Sequence, residues 1–298
     1  MKYAVLGAGG IGGLVGGALA RAGHPVTLIV RAESARPHPP SISVRSKVLG
    51  DFEAPVSVST RLLDEVDIVW ITVKATQLES ALVSVPRQQL EHALVIPLMN
   101  GVDHVARLRE TYPPPNVVAG SIKVESELAA PGAIRQLSPF AAIQLAATGS
   151  TAPRVQQVAE EVRATGLPCE VVDDEVSMLW GKLAFLAPLA LTTTARSAPL
   201  GEVRADPAWR NRLETCLTEA CHAAQASGAV IDSGATLERL NGAPAVMRSS
   251  MQKDVEAGRE PELDAIAGPI VRTGRAQGFD VSTTEELMAT IAALVNRA

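Results

Sequence analysis

A group of glycines lies close to the start of the chain, and its spacing is regular. Residues 7–12 read GAGGIG, which fits the pattern G-x-G-x-x-G, and they follow an apolar run of strand type at residues 3–6. In this pattern the first glycine permits a tight turn, the second lets a pyrophosphate approach the backbone, and the third allows close helix–strand packing. The N–H groups that open a following helix would bind the phosphates. The alternative is a glycine-rich turn without a ligand, and the predicted cofactor-binding residues are Gly7, Gly9, Gly10, Ile11 and Gly12.

The residue after the second predicted strand distinguishes one dinucleotide from the other. In NAD-binding units an acidic side chain stands there and binds the ribose 2′-hydroxyl. Here Arg31 directly follows the apolar run at residues 26–30. A guanidinium suits a 2′-phosphate because it forms bidentate, charge-assisted hydrogen bonds. NADP is therefore the predicted cofactor, although Glu33 keeps NAD open and Arg31 could also be an ordinary solvated arginine.

Polar side chains follow two further predicted strands. Lys74 and Gln77 come just after the apolar run at residues 67–73, and Asn100 follows the run at residues 93–98. In an open α/β sheet, ligands bind beyond the carboxyl ends of the strands. We therefore expect Lys74, Gln77 and Asn100 to lie where cofactor and substrate bind, the alternative being loop residues without a ligand.

A single lysine lies in a strongly apolar helical segment, WGKLAFLA at residues 180–187. Burying an ammonium group among apolar side chains is costly, so Lys182 is expected to face a polar cavity. A lysine held in this way can donate a proton to a carbonyl oxygen while hydride reaches the carbon. The alternative is that Lys182 extends to the surface from the start of its helix.

Hydroxyl and carboxylate groups are concentrated between residues 249 and 264. Ser250 and Asp254 are four residues apart and share one face of a predicted helix. Glu262 and Asp264 flank the start of the next predicted helix, where acidic side chains are favoured for capping alone. Without further information, the capping interpretation is the simpler one.

The order of the predicted elements divides the chain in two. Strands and helices alternate up to residue 172, and helical periodicity then replaces strand-like alternation. The predicted fold class is an α/β Rossmann-type N-terminal domain, residues 1–172, followed by an all-α C-terminal domain, residues 173–298. The last predicted helix opens with an S-x-x-E capping box at residues 282–285. The predicted helices of the second domain cover residues 176–191, 207–227, 236–240, 245–257, 262–277 and 283–296.

Composition limits the classes of function. The 298 residues are 47% hydrophobic and 20% charged, and the net charge of −5 argues against nucleic acid and anionic membranes as partners. No run approaches the ~18 apolar residues of a membrane span, and the N-terminus lacks the features of a secretion signal. Three scattered cysteines have no metal-ligand spacing and indicate reduced thiols in a cytoplasmic protein. We expect no metal, and a homodimer is left open.

Five stretches, in this order, make the chain resemble the ketopantoate reductase family, the 2-dehydropantoate 2-reductases, whose C-terminal domain is similar to that of 6-phosphogluconate dehydrogenase. They are GAGGIG at 7–12, VKATQ at 73–77, MNGV at 99–102, WGKL at 180–183, and SSMQKD at 249–254 with ELD at 262–264. The resemblance covers essentially the whole chain. It implies an NADPH-binding Rossmann domain, a helical domain that closes over a small 2-oxo acid, and a place in pantothenate biosynthesis.

The resemblance also implies a role for each site residue. Lys182 would be the general acid, and Glu262 would be the active-site carboxylate that orients substrate and lysine. Asn100 would lie at the nicotinamide and the substrate, and Ser250 would bind the substrate carboxylate. The residues that it assigns to the cofactor are Lys74 and, at the 2′-phosphate, Arg31.

One departure from the family concerns the substrate. The family's lysine is usually followed, at four and eight residues, by asparagines that hydrogen-bond the substrate, and here Leu186 and Ala190 stand there. Each lost hydrogen bond is worth about 1 kcal/mol or more. The substrate could therefore be a more apolar 2-oxo acid or another carbonyl or imine, or residues 192–194 or Arg248 could compensate. A 3-hydroxy acid oxidoreductase and a non-catalytic NADP-binding sensor are the remaining alternatives.

Overall fold

A computed structural model describes residues 1–147 and 149–296 of the chain. The contacts divide it into two units, Met1–Met99 with His104–Glu175, and Asn100–Asp103 with the chain from Val176 onward. The first unit is α/β and the second is all-α, which confirms the predicted fold class. The boundary was predicted after residue 172, and residues 297 and 298 of the predicted helical domain lie outside the described residues.

The first unit contains short strands and helices in alternation. Its strands are β1 (Tyr3–Leu6), β2 (Val26–Ile29), β3 (Ser41–Ser46), β4 (Phe52–Pro55), β5 (Ser57–Ser59), β6 (Ile68–Ile71), β7 (Leu94–Pro97), β8 (Gly120–Lys123), β9 (Ser126–Ala130), β10 (Ala133–Gln136), β11 (Ala142–Ala146) and β12 (Cys169–Val172). Its helices are α1 (Gly10–Arg21), α2 (Ala32–Ala35), α3 (Leu78–Leu82), α4 (His104–Thr111) and α5 (Ala152–Ala164). Single 3₁₀ turns occur at Ala75–Gln77, Arg87–Leu90, Pro114–Asn116 and Gly149–Thr151.

The central sheet is parallel and has the strand order β5-β2-β1-β6-β7. Its register aligns Leu6 with Ile29 and with Ile71, so β1, β2 and β6 end at the same edge. Apolar side chains on both faces are buried, as the continuous apolar runs predict for a parallel sheet covered on both sides. The loops that follow these strands therefore meet at one edge of the sheet.

Helix α1 is packed between the central sheet and a second sheet of order β4-β3-β10-β9. A Cβ atom on Gly13 would lie 2.3 Å from the Ile134 side chain, and one on Gly17 would lie 2.9 Å from Ile42. On the opposite side, a Cβ on Gly16 would come within 3.2 Å of Val5 and Leu28. The glycines weaken the helix intrinsically, but they let two sheets approach it closely.

The second unit is built from helices, and its core helix is the long apolar α6. By length and composition α6 could cross a membrane, yet 67% of its most apolar 18-residue window is buried within the protein. We attribute its apolar composition to this core position. The helices that follow the first unit are α6 (Glu175–Arg196), α7 (Leu200–Ala205), α8 (Pro207–Ala226), α9 (Ser233–Gly242), α10 (Ser250–Glu256), α11 (Leu263–Gln277) and α12 (Ser282–Val295).

The helix predicted from residue 245 begins only at residue 250. The Ser249 hydroxyl accepts a hydrogen bond from the Gln252 N–H and so caps α10. Before this cap, the carbonyls of Ala245 and Met247 accept hydrogen bonds from the first residues of α7, a helix that the periodicity did not predict. The upstream backbone is thus occupied by tertiary contacts and is not helical.

The predicted capping box at the start of α12 is wrong. The buried carboxylate of Glu219, on α8, accepts hydrogen bonds from the N–H groups of Thr283 and Thr284 at 3.0 and 2.8 Å and from the Thr284 hydroxyl. Glu285, the expected capping partner, instead pairs with Arg275 at 2.7 Å. A carboxylate 64 residues before Thr283 has replaced the local cap, and no local sequence pattern indicates it.

The three cysteines are free and buried, as expected of reduced core thiols. Burial raises the pKa of Cys216 to about 12 and those of Cys169 and Cys221 to about 11. Their thiolate fractions at neutral pH are therefore very small, which makes the thiols unreactive. Among the described residues no cluster of His, Cys, Asp and Glu could hold a metal ion.

Removal of the Glu219 carboxylate is expected to destabilise the helical unit. Glu219→Ala leaves the first N–H groups of α12 without their acceptor, and we expect the free energy of unfolding to fall by roughly 2–4 kcal/mol. Glu286→Ala, an exposed glutamate on the same helix, should change it by less than about 0.5 kcal/mol. Urea titrations of both variants measure the difference, and equal losses would contradict the assignment of the cap.

Candidate active site

The predicted cofactor turn lies at the carboxyl end of β1. Gly7 has a φ of +97°, which a residue with a side chain rarely adopts, and α1 begins three residues later at Gly10. Apart from Gly9 and its two chain neighbours, no heavy atom of the described residues lies within 4 Å of the position that a Cβ on Gly9 would take. The turn thus leaves open space beside the N-terminus of α1. This geometry fits the binding of a pyrophosphate.

Two hydroxyl groups hold this turn in place. Thr72, directly after β6, lies 2.7 Å from the Gly7 carbonyl oxygen and 3.0 Å from that of Leu6, and donates to them. The Ser126 hydroxyl, at the start of β9, donates to the Gly10 carbonyl at 2.9 Å. Neither Thr72 nor Ser126 is among the site residues predicted from the sequence. Thr72 has the character of an ordinary strand residue, and nothing local connects Ser126 to a turn 116 residues earlier.

The other predicted cofactor residues lie at the same edge of the central sheet. Arg31 follows β2 and precedes α2, and its Nε lies 3.2 Å from the Glu33 carboxylate, with both side chains more than 60% exposed. Lys74 is half-buried and precedes the 3₁₀ turn that ends with the exposed Gln77. Since β1, β2 and β6 end together, all three side chains follow strands whose ends meet at the glycine turn.

In the second unit, two predicted site residues are in direct contact. The Asn100 amide donates a 2.9 Å hydrogen bond to Oε2 of Glu262, across 162 residues of sequence. Glu262 is only 8% exposed and immediately precedes α11. Glu262 is at the N-cap position of that helix, but its side chain makes no cap hydrogen bond there. A buried carboxylate held by an amide is suited to orienting a substrate or a neighbouring cation.

The remaining predicted residues lie on α6 and α10. Lys182 is half-buried in the interior of α6, about two turns after the helix begins. Ser250 is exposed at the start of α10, whereas its neighbour Ser249 is buried and caps the helix. The structure thus places Ser250 on an accessible first turn. Lys182 is neither fully buried nor extended from a helix end.

Apolar residues stand at the positions of the two family asparagines, and the polar residues that could compensate for them make other contacts. Leu186 is half-buried one turn after Lys182 and packs on the helical core, and Ala190 is fully buried. Residues 192–194 are at most 1% exposed. The Thr192 and Thr193 hydroxyls donate to carbonyls of α6. The Thr193 and Thr194 hydroxyls also lie within hydrogen-bonding distance of the Ser249 hydroxyl. Arg248 forms an ion pair with Glu256. The threonine hydroxyls therefore already have hydrogen-bond partners within the helical unit.

A Rossmann-type unit followed by a helical unit with these residues defines a class of two-domain oxidoreductases. The sequence matches the family Ketopantoate reductase PanE/ApbA over residues 3–149 and the C-terminal domain of that family over residues 176–295. The chain belongs to the ketopantoate reductase family. This finding confirms the resemblance inferred from the five motifs.

Individual relatives agree with this assignment. A 2-dehydropantoate 2-reductase of Mesorhizobium japonicum is 29% identical, over 98% of this chain and 97% of its own length. The crystal structure of a PanE/ApbA family ketopantoate reductase from Ralstonia eutropha JMP134 has a TM-score of 0.88 at 27% identity and covers 100% of this chain and 99% of its own. D-mandelate dehydrogenase in complex with NADH and anilino(oxo)acetate shares the fold, with a TM-score of 0.88 at 22% identity and the same coverage.

Two adjacent glycines separate a ligand effect from a packing effect. A Cβ on Gly9 meets no described atom, so Gly9→Ala should leave the melting temperature of the ligand-free protein within about 2 °C while weakening dinucleotide binding at least about tenfold. A Cβ on Gly10 would lie 2.2 Å from the Ser126 carbonyl oxygen, so Gly10→Ala should lower the melting temperature. Thermal unfolding and fluorescence titration with NADPH provide the comparison. Unchanged binding by Gly9→Ala would contradict the site.

Proposed function

We propose that the protein catalyses the NADPH-dependent reduction of a small 2-oxo acid to the corresponding 2-hydroxy acid, with Lys182 as the general acid. The hydrogen bond between Asn100 and Glu262 carries the proposal. Two motifs that are far apart in sequence, each linked to catalysis only by family resemblance, supply the two partners of this bond. A non-catalytic sensor would not need a buried carboxylate held by an amide.

The proposed chemistry divides between the cofactor and the residues of the chain. When bound, reduced nicotinamide supplies a hydride to the carbonyl carbon of the substrate. Lys182 donates a proton from Nζ to the carbonyl oxygen and regains one from solvent after turnover. Glu262, oriented by Asn100, holds the lysine and the substrate in place, and Ser250 binds the substrate carboxylate.

The choice of NADP rests on Arg31. Its guanidinium follows β2, is largely exposed and forms an ion pair with Glu33, an exposed carboxylate at 3.2 Å. Exposed pairs of this kind are worth about 0–1 kcal/mol, so a 2′-phosphate can readily displace the glutamate. NADH is the cofactor in the structure of D-mandelate dehydrogenase, and Glu33 is the residue through which this chain could bind it.

A second candidate is a 2-oxo acid with an apolar side chain. The observation that favours it is the apolar group at Leu186, one helical turn from Lys182, with the neighbouring threonine hydroxyls already hydrogen-bonded. A polar substrate hydroxyl would find no amide partner at Leu186 or Ala190. The place in pantothenate biosynthesis applies only if 2-dehydropantoate is the substrate. A cytoplasmic location and a homodimer stay predictions.

Loss of the proposed general acid should abolish turnover without loss of cofactor. We expect Lys182→Ala to lower kcat at least about a thousandfold while the Kd for NADPH changes less than about threefold, because the lysine lies outside the glycine turn. The control is Lys47→Ala, an exposed lysine of the first unit.

The measurement is NADPH oxidation with 2-dehydropantoate and with apolar 2-oxo acids. The substrate with the highest kcat/KM distinguishes the two candidates. Near-normal turnover in Lys182→Ala would contradict the lysine assignment, and absence of turnover with the whole panel would favour a sensor.

The residues after β2 should set the preference between the two cofactors. Arg31→Ala should weaken NADPH binding about tenfold or more and leave NADH binding nearly unchanged, since only NADPH carries the 2′-phosphate. Glu33→Gln should tighten NADPH binding, because it removes a competing and repelling carboxylate. Isothermal titration of both variants with both cofactors measures these effects. Equal affinity of the wild-type protein for NADH and NADPH would contradict the assignment of Arg31 to the 2′-phosphate.

A further inference from the structure

One arginine of α11 lies along its own helix and joins two carboxylates. Arg272 NH1 lies 2.8 Å from Oδ1 of Asp264, eight residues earlier, and NH2 lies 2.5 Å from Oδ2 of Asp103. The side chain passes over Gly268, where a Cβ would lie 2.4 Å from the Asp264 carboxylate and 2.6 Å from the guanidinium. Residues 264, 268 and 272 share one helix face, and the glycine leaves room for the ion pair.

Asp103 belongs to a short segment, residues 100–103, that contacts α11 and the residue preceding it at three points. Asn100 donates to Glu262. Gly101, at a φ of +86°, lies so close to the Ala265 carbonyl that a Cβ would be 2.5 Å from its oxygen. Asp103 pairs with Arg272. The segment 100–103 is thereby held at both ends and in its middle by Glu262, just before α11, and by residues 265 and 272 of that helix.

We propose that Arg272 is a positioning residue that holds the segment 100–103 on α11 and thereby keeps the Asn100 amide on the Glu262 carboxylate. The inference rests on the proposed function, in which these two groups orient the substrate. The guanidinium of Arg272 is hydrogen-bonded to Asp264 and Asp103. It acts through Asp103, at the other end of the segment.

The charges favour this arrangement. Partial burial of the guanidinium opposes its charge, but the hydrogen bonds to Asp264 and Asp103 outweigh this effect and hold the pKa of Arg272 above its usual value. Both carboxylates are more than half exposed, so each pair alone is weak. Arg272 therefore raises the fraction of molecules in which the segment 100–103 lies against α11. Its loss should lower the activity without abolishing it.

The first experiment compares two arginines of the same helix in the full-length protein. We expect Arg272→Ala to lower kcat/KM for the 2-oxo acid about three- to tenfold, with less than a twofold change in the KM for NADPH. Arg275→Ala removes an exposed arginine that pairs with Glu285 on α12, and it should leave kcat/KM within twofold of wild type. Equal activity of the two variants would overturn the proposal.

A second variant displaces the arginine without removing any charge. Gly268→Ala improves intrinsic helix propensity, so stability should be kept, while the new methyl group pushes the guanidinium off Asp264. We expect it to lower kcat/KM to about the value of Arg272→Ala. Gly268→Ala could instead keep wild-type activity while Arg272→Ala loses it. The contact between Arg272 and Asp264 would then not be needed for activity, which would overturn the proposed positioning geometry.

A double-mutant cycle separates this inference from the function on which it rests. If Arg272 acts through Asn100, the double variant Asn100→Ala/Arg272→Ala should be no less active than Asn100→Ala alone. Multiplied losses would show that Arg272 acts by another route and would overturn the inference. Wild-type activity of Asn100→Ala and of Glu262→Gln would overturn the proposed function instead.

Discussion

The confinement of α1 between two sheets is the constraint on which the first unit depends. Its glycines are set by contacts on opposite sides, Gly16 against the central sheet and Gly13 and Gly17 against the second sheet. The same confinement orients the helix so that its N-terminus faces the open space beside Gly9. The glycine-rich stretch therefore combines glycines that packing requires with one glycine, Gly9, whose side-chain position is free of packing contacts.

Much of the fold could be predicted because its signals are local. The continuous apolar runs gave the buried parallel strands, and the change to helical periodicity gave the second unit. The failures all involve partners distant in sequence. Glu219 replaces the expected cap of α12, and backbone contacts with α7 delay the start of α10. Residues 100–103 belong to the helical unit although the chain on both sides of them belongs to the first unit. No change in composition marks this segment in the sequence.

The residues of the candidate site also divide into those that local sequence signals predict and those that depend on partners distant in sequence. Residues whose type and strand-end position carry information, such as Arg31 and Asn100, could be selected from the sequence. Thr72 and Ser126 could not, because a hydroxyl that supports a loop looks like any other hydroxyl until the loop is folded beside it. Arg272 resembles a solvated helix arginine for the same reason. The hydroxyls of Thr192 and Thr193 are buried on α6 and donate to backbone carbonyls, which no sequence pattern indicates.

The chain passes between its two units after Met99, after Asp103 and after Glu175. A gene fragment that ends at residue 175 would thus encode the four-residue loop without the helix to which it is bound, and a fragment that begins at residue 176 would lack Asn100. Each unit is compact in space, but a segment of the second unit lies between two segments of the first along the sequence. A chimera that exchanges the dinucleotide-binding half between relatives must therefore match residues 100–103 to the α11 of the recipient.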